Sequence, residues 1–487
     1  MLYNTFRWLF QLTVTAYFRS IYVQGKEYVP PKGKPVIFAA NHPSSFMDPI
    51  LLSVNLKRSL YFLARGDIFK NKFIGRLFDK LHMIPVYKPD LSPGQTHKNE
   101  MIFEKCHAHL GQNSTVMIFP EGTSKTERRL RPIKTGVARI ALGAEAKHNF
   151  ELDLTIVPIG LNYSNPHNFK SDVFVNIGEP IQVSEYKDIY LKDLKEAVLQ
   201  LTERVKIELE KRIVIIEDER FEKLIQQIEI LYRSKLREES KLQVKAAQDF
   251  YLSQDIVKAV EYYAKNNPEL LKEFEQKITY YLKELKVLKI RDTQVRTSSI
   301  SFRFIWTMLY FIAGFPLFLY GLVTNVIPYK LAEFISSKIL IREDFVGSIK
   351  LAVGMLVFLL LYGVEAFVFG AFTHVLWGVL FCISLYPLGL FTVDYIKTYY
   401  KARGTVKYMK LFIQKSNLVI HLKTTREELV EELELRKKRI YSITGSVTRL
   451  FLGVVEIVLK QVLFTSLLFL PVLVIASYFF LVNCRPF

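Results

Sequence analysis

Three stretches of this chain carry almost no charge: Phe304 to Tyr329 and Val462 to Asn483 have none, and Leu351 to Val393 holds only Glu365 and His374. Roughly 20 apolar residues cross a bilayer core, so each is long enough to span and the middle one could do so twice. In lipid every backbone N–H and C=O must be satisfied within its own segment, which makes these stretches helical. At 50% apolar residues over 487, and with a mean hydropathy of +0.15, the chain as a whole agrees with a membrane component.

Charge orients those segments. Tyr395 to Leu450 holds 13 Lys and Arg against 5 Glu, and the positive-inside tendency places such a loop on the cytoplasmic side. The part of the chain that carries the chemistry below belongs on that side too. An even number of crossings must then separate the two, yet the runs allow three, so one is expected to be re-entrant. Phe304 to Tyr329, interrupted at Gly314-Phe315-Pro316, is the expected one.

The first third of the chain reads differently. Apolar, β-rich runs alternate with amphipathic stretches: Val36 to Ala40, Leu60 to Ala64, Met83 to Tyr87, Thr115 to Phe119, Leu154 to Gly160 and Val173 to Ile177. Strands apolar along their whole length belong to a sheet covered on both faces. The expected fold is therefore α/β, a mixed sheet flanked by helices, followed by a charged α-helical region and an all-α transmembrane part. In residues this gives an interfacial membrane helix over 1–24, with Trp8, Phe10 and Phe18 dipping into lipid, and a catalytic domain over 25–185. A charged helical region at 186–300, transmembrane or re-entrant helices at 301–394, a basic cytoplasmic loop at 395–450 and a C-terminal transmembrane helix at 451–487 complete it.

Cys106, Cys382 and Cys484 are far apart in sequence, which indicates neither a disulfide framework nor a metal site. Cys106 and His107 are neighbours on an expected helix and point in different directions, so they make no nucleophile and base. The formal net charge of +19 suits a nucleic acid, an anionic bilayer or a phosphorylated substrate. No nucleic-acid reading module is recognisable, and a membrane surface with a phosphate substrate already accounts for the basicity.

Two strand ends carry polar groups. Val36 to Ala40 runs into Asn41-His42-Pro43-Ser44-Ser45-Phe46-Met47-Asp48, and a helix starting near Pro43 and Ser44 would let His42 and Asp48 face one pocket. A histidine oriented by a carboxylate is a general base that works near neutral pH. No Ser-x-Gly elbow or thiol accompanies it, which favours direct attack by a substrate hydroxyl. Thr115 to Phe119 runs into Pro120-Glu121-Gly122-Thr123-Ser124, followed by Lys125, Arg128, Arg129, Arg131 and Lys134. Glycine lets backbone N–H groups approach a phosphate ester while cations neutralise it. Arg65 adds a cation at a third strand end.

In this order the segments resemble the phospholipid/glycerol acyltransferases, the family of glycerol-3-phosphate and 1-acylglycerol-3-phosphate acyltransferases, over about Gly25 to Val183. Asn41-His42 with Asp48 looks like the first block, Arg65 with Ile84-Pro85-Val86 the second, Phe119 to Ser124 the third and Val157-Pro158-Ile159-Gly160 the fourth. Two departures stand out: the interval from His42 to Asp48 is one residue longer than the usual four, and Ser124 stands where many members carry arginine. With Ile133 to Ala138, Val175 to Ile181 and the later membrane segments, the pattern looks like the fungal dual-specificity glycerol-3-phosphate/dihydroxyacetone-phosphate acyltransferases and their bacterial relatives.

The resemblance implies that His42 deprotonates a glycerol hydroxyl, that Asp48 holds the imidazole, and that the alkoxide displaces a thiolate from an acyl thioester. Glu121, Gly122 and Thr123, with Arg65 and Lys134, would hold the acceptor phosphate; Val157 and Pro158 would be structural or line the acyl pocket. No metal or cofactor is implied, acyl-CoA or acyl-carrier protein being a co-substrate. The expected partners are a phosphorylated glycerol acceptor, the acyl thioester and the bilayer, with no nucleic acid. The expected place is a bacterial inner membrane or the endoplasmic reticulum, with the catalytic domain facing the cytoplasm. Lysophosphatidate as acceptor is the rival enzyme reading. An inactive membrane scaffold is the remoter one, and it would need neither His42 nor Asp48.

Overall fold

The central strand of the sheet owes its place to its neighbours. β2 (Val36–Ala40) is buried at all five positions and pairs in parallel with β5 (Thr115–Ile118) on one side and β6 (Thr155–Tyr163) on the other, Phe38 lying opposite Met117 and Val157. The computed structural model describes residues 2–69, 71–87, 98–239, 245–296, 302–339 and 342–437. The segment Val462 to Asn483 and Cys484 lie outside them.

Around β2 the strand order is β1-β7-β6-β2-β5-β3-β4, formed with β1 (Ser20–Gln24), β3 (Leu60–Arg65), β4 (Met83–Val86) and β7 (Asp172–Ile177). β8 (Ile181–Gln182) pairs with the start of β6. Strands β4, β3, β5, β2 and β6 run parallel; β7 and β1 run against them, as does β8, so the sheet is mixed as expected. All six expected strands are present. β1 was not foreseen and lies within the segment assigned to the N-terminal helix, so the domain begins before Gly25. As a short edge strand, half-exposed along most of its length, it leaves no wholly apolar run to detect.

Side-chain alternation divides the core. Ile37 and Ala39 point to one face, covered by α4 (Lys98–Gly111), α5 (Gly136–Lys147) and α7 (Leu194–Glu210) through Cys106, Leu110, Ile140 and Leu201. Val36, Phe38 and Ala40 point to the other, covered by α1 (Leu2–Tyr17), the following Phe18, and α2 (Met47–Asn55). Phe18 is buried there and Phe10 packs against the same cluster, so of the three N-terminal aromatics expected in lipid only Trp8, 61% exposed, is displayed. α3 (Lys72–Lys80) precedes β4, and α6 (Lys187–Lys192) leads into α7. Because α7 belongs to this core, the catalytic layer extends past the expected boundary at 185.

A second core gathers α8 (Glu222–Glu239), α9 (Lys245–Asn266), α10 (Pro268–Val287) and α11 (Asp292–Arg296). Residues 416–437 are helical and add Val419, Leu422, Leu429 and Val430 to it, so part of the expected basic loop is a packed helix. The buried Arg426 donates to Asp292 at 2.8 Å and fixes that join.

Among the described residues three helices, Ile305–Ile339, Glu343–Phe372 and Val375–Gln414, are long and apolar enough to cross a membrane. They correspond to α12 (Phe302–Ile339), α13 (Val346–Phe372) with the short turn before it, and α14 (Val375–Gln414). The hairpin expected near Gly370 to His374 is present, with the His374 ring accepting from the Leu376 N–H to cap α14. The break expected at Gly314-Phe315-Pro316 is absent. α12 runs through it, since a proline forfeits one helical hydrogen bond, a loss that packed neighbours tolerate. α12 lies antiparallel to α14: Gly314 meets Phe391 and Tyr395, Gly321 meets Leu388 and Thr392, and Asn325 meets Gly389 and accepts from Tyr362. Ile339 is then joined to Val346 by six residues, a span of at most about 25 Å. Leu351 of α13 sits in the core of the catalytic domain, so the C-terminal end of α12 must come back to within reach of that domain.

Candidate active site

Parallel strands end together, and the C-terminal ends of β2, β5, β3 and β6 bring the expected site residues to one edge of the sheet. Asn41 fixes the end of β2: its side-chain amide donates to Leu161 O at 3.1 Å and accepts the Leu161 N–H at 2.7 Å, clamping β2 to β6.

His42 follows. Its Nδ1 lies 2.7 Å from Asp48 Oδ2, and its ring stacks on Phe119 with centroids 4.0 Å apart. Asp48 is 0% exposed and sits in the first turn of α2, where the helix dipole favours a carboxylate. The Ser44 N–H donates to Oδ2 and the Tyr163 hydroxyl to Oδ1, each at 2.8 Å. With Ser44 N–H and the Tyr163 hydroxyl already donating to it, the Asp48 side chain takes a third hydrogen bond from Nδ1–H. In that tautomer the imidazole lone pair is on Nε2, which has no protein partner among the described residues, and that is the atom of a general base.

The extra residue between His42 and Asp48 is absorbed locally. Met47 N–H bonds to Ser44 O at 2.9 Å, and Ser45 takes φ 43°, a left-handed turn conformation unusual for a residue other than glycine. A tight turn shortens the five-residue interval enough for base and carboxylate to meet.

The loop after β5 lies beside His42 without the roles expected of all its members. The Glu121 carboxylate is buried and turned inward, accepting the His42 N–H at 2.7 Å and the Arg131 N–H at 3.4 Å. Burial pushes its pKa up, opposed by those two donors. A carboxylate so placed holds the loop and would repel a phosphate. Gly122 takes φ 71° and closes a turn on Phe119 O; the Lys134 side chain lies across it, exposed, and its backbone N–H bonds to Pro120 O at 2.8 Å. Thr123 Oγ accepts from the Arg131 guanidinium. Arg128 and Arg129 point away, paired with Glu229 at 2.8 Å and Glu219 at 2.7 Å on the helical region, so the basic stretch is shared between two destinations.

Arg65 ends β3, two strands from β2 and level with Asn41 by the register through Met117. That separates the two positions by about 10 Å at the standard strand spacing. Val157 and Pro158 lie inside β6, buried opposite Phe38 and Ala39 below the site. Cys106 is buried on α4 with its thiol pushed up to about 12 by burial, which leaves it inert. Among the described residues no group of three or more His, Cys, Asp or Glu could hold a metal. Sequence reasoning missed Tyr163 as a functional residue; the signal available was its position at the end of a strand parallel to β2.

A mixed α/β sheet whose strand ends carry a carboxylate-held histidine beside a cation-bearing glycine turn defines a general-base transferase or hydrolase site. Residues 20–162 match the acyltransferase family model, so the chain carries an acyltransferase-family domain. Among curated proteins it is similar to glycerol-3-phosphate O-acyltransferase 1 of Saccharomyces cerevisiae, at 24% identity over 62% of this chain and 50% of that one. It is also similar to the 1-acyl-sn-glycerol-3-phosphate acyltransferase of Bacillus subtilis, at 28% identity over 39% of this chain and 88% of that one. Among solved structures it is similar to the 1-acyl-sn-glycerophosphate acyltransferase of Thermotoga maritima, with a TM-score of 0.29 and 19% identity, covering 42% of this chain and 79% of that one. The chain spans about half the length of the first curated relatives it matches.

Proposed function

We propose that the protein is an O-acyltransferase that moves a fatty acyl chain from an acyl thioester to a hydroxyl of glycerol 3-phosphate or dihydroxyacetone phosphate. The observation that carries this is the His42–Asp48 pair with Nε2 open, at the strand ends of an acyltransferase-family domain. Nε2 takes the proton of the acceptor hydroxyl as its oxygen bonds to the thioester carbonyl carbon. The tetrahedral intermediate collapses by breaking the C–S bond, and the imidazolium returns its proton to the departing thiolate. Asp48 stabilises the imidazolium between these steps. Lys134, exposed beside Gly122, and Arg65 supply positive charge for the acceptor phosphate. The reaction needs no metal and no cofactor, acyl-CoA or acyl-carrier protein being the co-substrate.

Lysophosphatidate is the alternative acceptor, favoured by the similarity to the 1-acyl-sn-glycerol-3-phosphate acyltransferase of Bacillus subtilis. An inactive scaffold has no use for an intact base and carboxylate. In the membrane, α13 and α14 form the crossing hairpin, and α12, an unbroken helix, packs against them with its C-terminal end held on the catalytic side, where Arg342 donates to Ser124 O. This keeps the catalytic domain, the helical region and residues 415–437 together on the cytoplasmic face of a bacterial inner membrane or the endoplasmic reticulum.

The test is an assay of the purified full chain with acyl-CoA and acyl-carrier-protein donors against glycerol 3-phosphate, dihydroxyacetone phosphate and lysophosphatidate. Acylation of either small acceptor supports the reading. Turnover of lysophosphatidate alone selects the alternative, and transfer to none of the three refutes both.

A further inference from the structure

The loop that brings His42 to Asp48 is not held by the catalytic domain alone. Ser348, in the first turn of α13 and only 1% exposed, donates its hydroxyl hydrogen to Ser44 O at 2.8 Å and accepts the Met47 N–H at 2.9 Å. Those two groups bracket the turn that contains Ser45, the residue with positive φ. The same segment grips the opposite side of the site. Asp344 accepts from the Ser124 hydroxyl, and Arg342 donates to Ser124 O at 3.1 Å and to Asp344 at 3.0 Å. Lys125, next in sequence to Ser124, donates its N–H to His42 O at 3.2 Å. Phe345 packs edge-on against Phe46, and Gly347 lies so close to Pro166 O that a Cβ there would stand 2.3 Å from it.

Both sequence departures of this chain meet in these contacts. The longer His42–Asp48 interval places Ser45 at positive φ, a conformation that costs a non-glycine residue steric energy unless its surroundings impose it. Ser348 bonds to both sides of that turn from outside the loop. Ser124, a short side chain where a long cation is common, leaves room for Asp344 to approach.

We infer that Ser348 is a positioning residue for acyl transfer: the first turn of a membrane helix about 300 residues downstream holds the turn that sets the His42–Asp48 geometry. The inference rests on the acyl-transfer reading. Its consequence is that the seating of α13 against the domain, and not the sheet alone, decides whether base and carboxylate are aligned.

The test uses purified full-length Ser348→Ala, Ser45→Gly and the double variant. Steady-state kinetics for both substrates are measured together with amide hydrogen exchange over 43–48 and, as a fold control, 155–163. In Ser348→Ala, kcat falls between about 10- and 100-fold, as expected for a small misplacement of reacting groups. Both KM values stay within about 2-fold, and exchange rises over 43–48 alone. Glycine at position 45 adopts positive φ unaided, so the double variant recovers several-fold of the lost kcat, which a merely structural role of Ser348 would not produce. Normal kcat and unchanged exchange in Ser348→Ala, or a double variant no better than the single one, overturns the inference. If the alanine variant does not accumulate, Ser348→Cys keeps the shape of the side chain with weaker hydrogen bonds and is read in the same way. Should the wild type transfer no acyl group, the acyl-transfer reading fails, and exchange over 43–48 still decides whether Ser348 holds the turn.

Discussion

Asp48 takes three hydrogen bonds while fully buried, and each comes from a different piece of chain: the residue it orients, the turn before it and a strand across the sheet. His42→Ala and Asp48→Asn should each lower transfer by at least ~100-fold with the fold retained, because base and orienter act as one unit; an assay of the purified variants beside a circular dichroism spectrum checks this. Tyr163→Phe removes one of the three donors. Its kcat should fall about 10-fold with both KM values unchanged, since a hydrogen bond to a charged group is worth roughly 1.5–3 kcal/mol. Burial first, and then the negative Asp48, hold the Tyr163 phenol well above its usual pKa, so it remains a donor beyond pH 10. Above pH 10 the unfolded chain sheds that proton while the folded chain keeps it, so stability falls as pH rises towards the native value. Thermal melts from pH 9 to 11 should show a shallower decline for Tyr163→Phe. Lys134→Ala, which removes an exposed cation from beside Gly122, should raise the acceptor KM about 5-fold or more and leave the donor KM alone. A rise in the donor KM would move Lys134 to the thioester.

At the level of elements, the site depends on how tightly β6 lies against the segment after α7. A Cβ on Gly160 would stand 2.0 Å from Arg212 O, a backbone atom with little freedom to move. Asn162, two residues on, donates to the same carbonyl at 2.9 Å. Gly160→Ala should therefore destabilise the protein by about 2–3 kcal/mol, at the upper end of what overpacking costs, and lower Tm correspondingly in a thermal melt; an unchanged Tm would mean that the strand can shift. β6 carries Tyr163 at its end, so the same variant should lose activity as the strand is displaced.

For the whole molecule the question is which parts share a side of the membrane. Contacts from Gly314 to Asn325 lay α12 along α14, and Arg342, three residues past its end, donates to Ser124 O, which holds that end on the catalytic side. Ser337 and Ser416, both exposed, should lie on the catalytic side, and Thr373, in the α13–α14 turn, on the opposite side. Single Ser337→Cys, Ser416→Cys and Thr373→Cys variants, in a background lacking the native thiols, can be treated with an impermeant thiol reagent on sealed membranes that enclose the catalytic side. Only Thr373→Cys should react until the membranes are opened. Reaction of Ser337→Cys in sealed membranes would make α12 a full crossing, and reaction of Ser416→Cys would break the arrangement altogether.

What could be read from the sequence was whatever local pattern dictates. Runs apolar at every position, such as Val36 to Ala40, become central parallel strands because burial on both faces selects them; the motifs that follow those runs fall at one edge because parallel strands end together. The His42–Asp48 pair lies within one loop and so was legible, as was the α13–α14 turn at His374. The destinations of long side chains were not. Glu121 and Arg131 read as groups for a phosphate, yet the carboxylate turns inward to the His42 N–H, while Arg128 and Arg129 serve the helical region. Tyr163 reaches Asp48 from 115 residues away, and Ser348 reaches the Ser44 carbonyl from 304. Such contacts are fixed by which surfaces the fold brings face to face, and the free energy that selects that packing is spread over the core, so no local stretch of sequence records them.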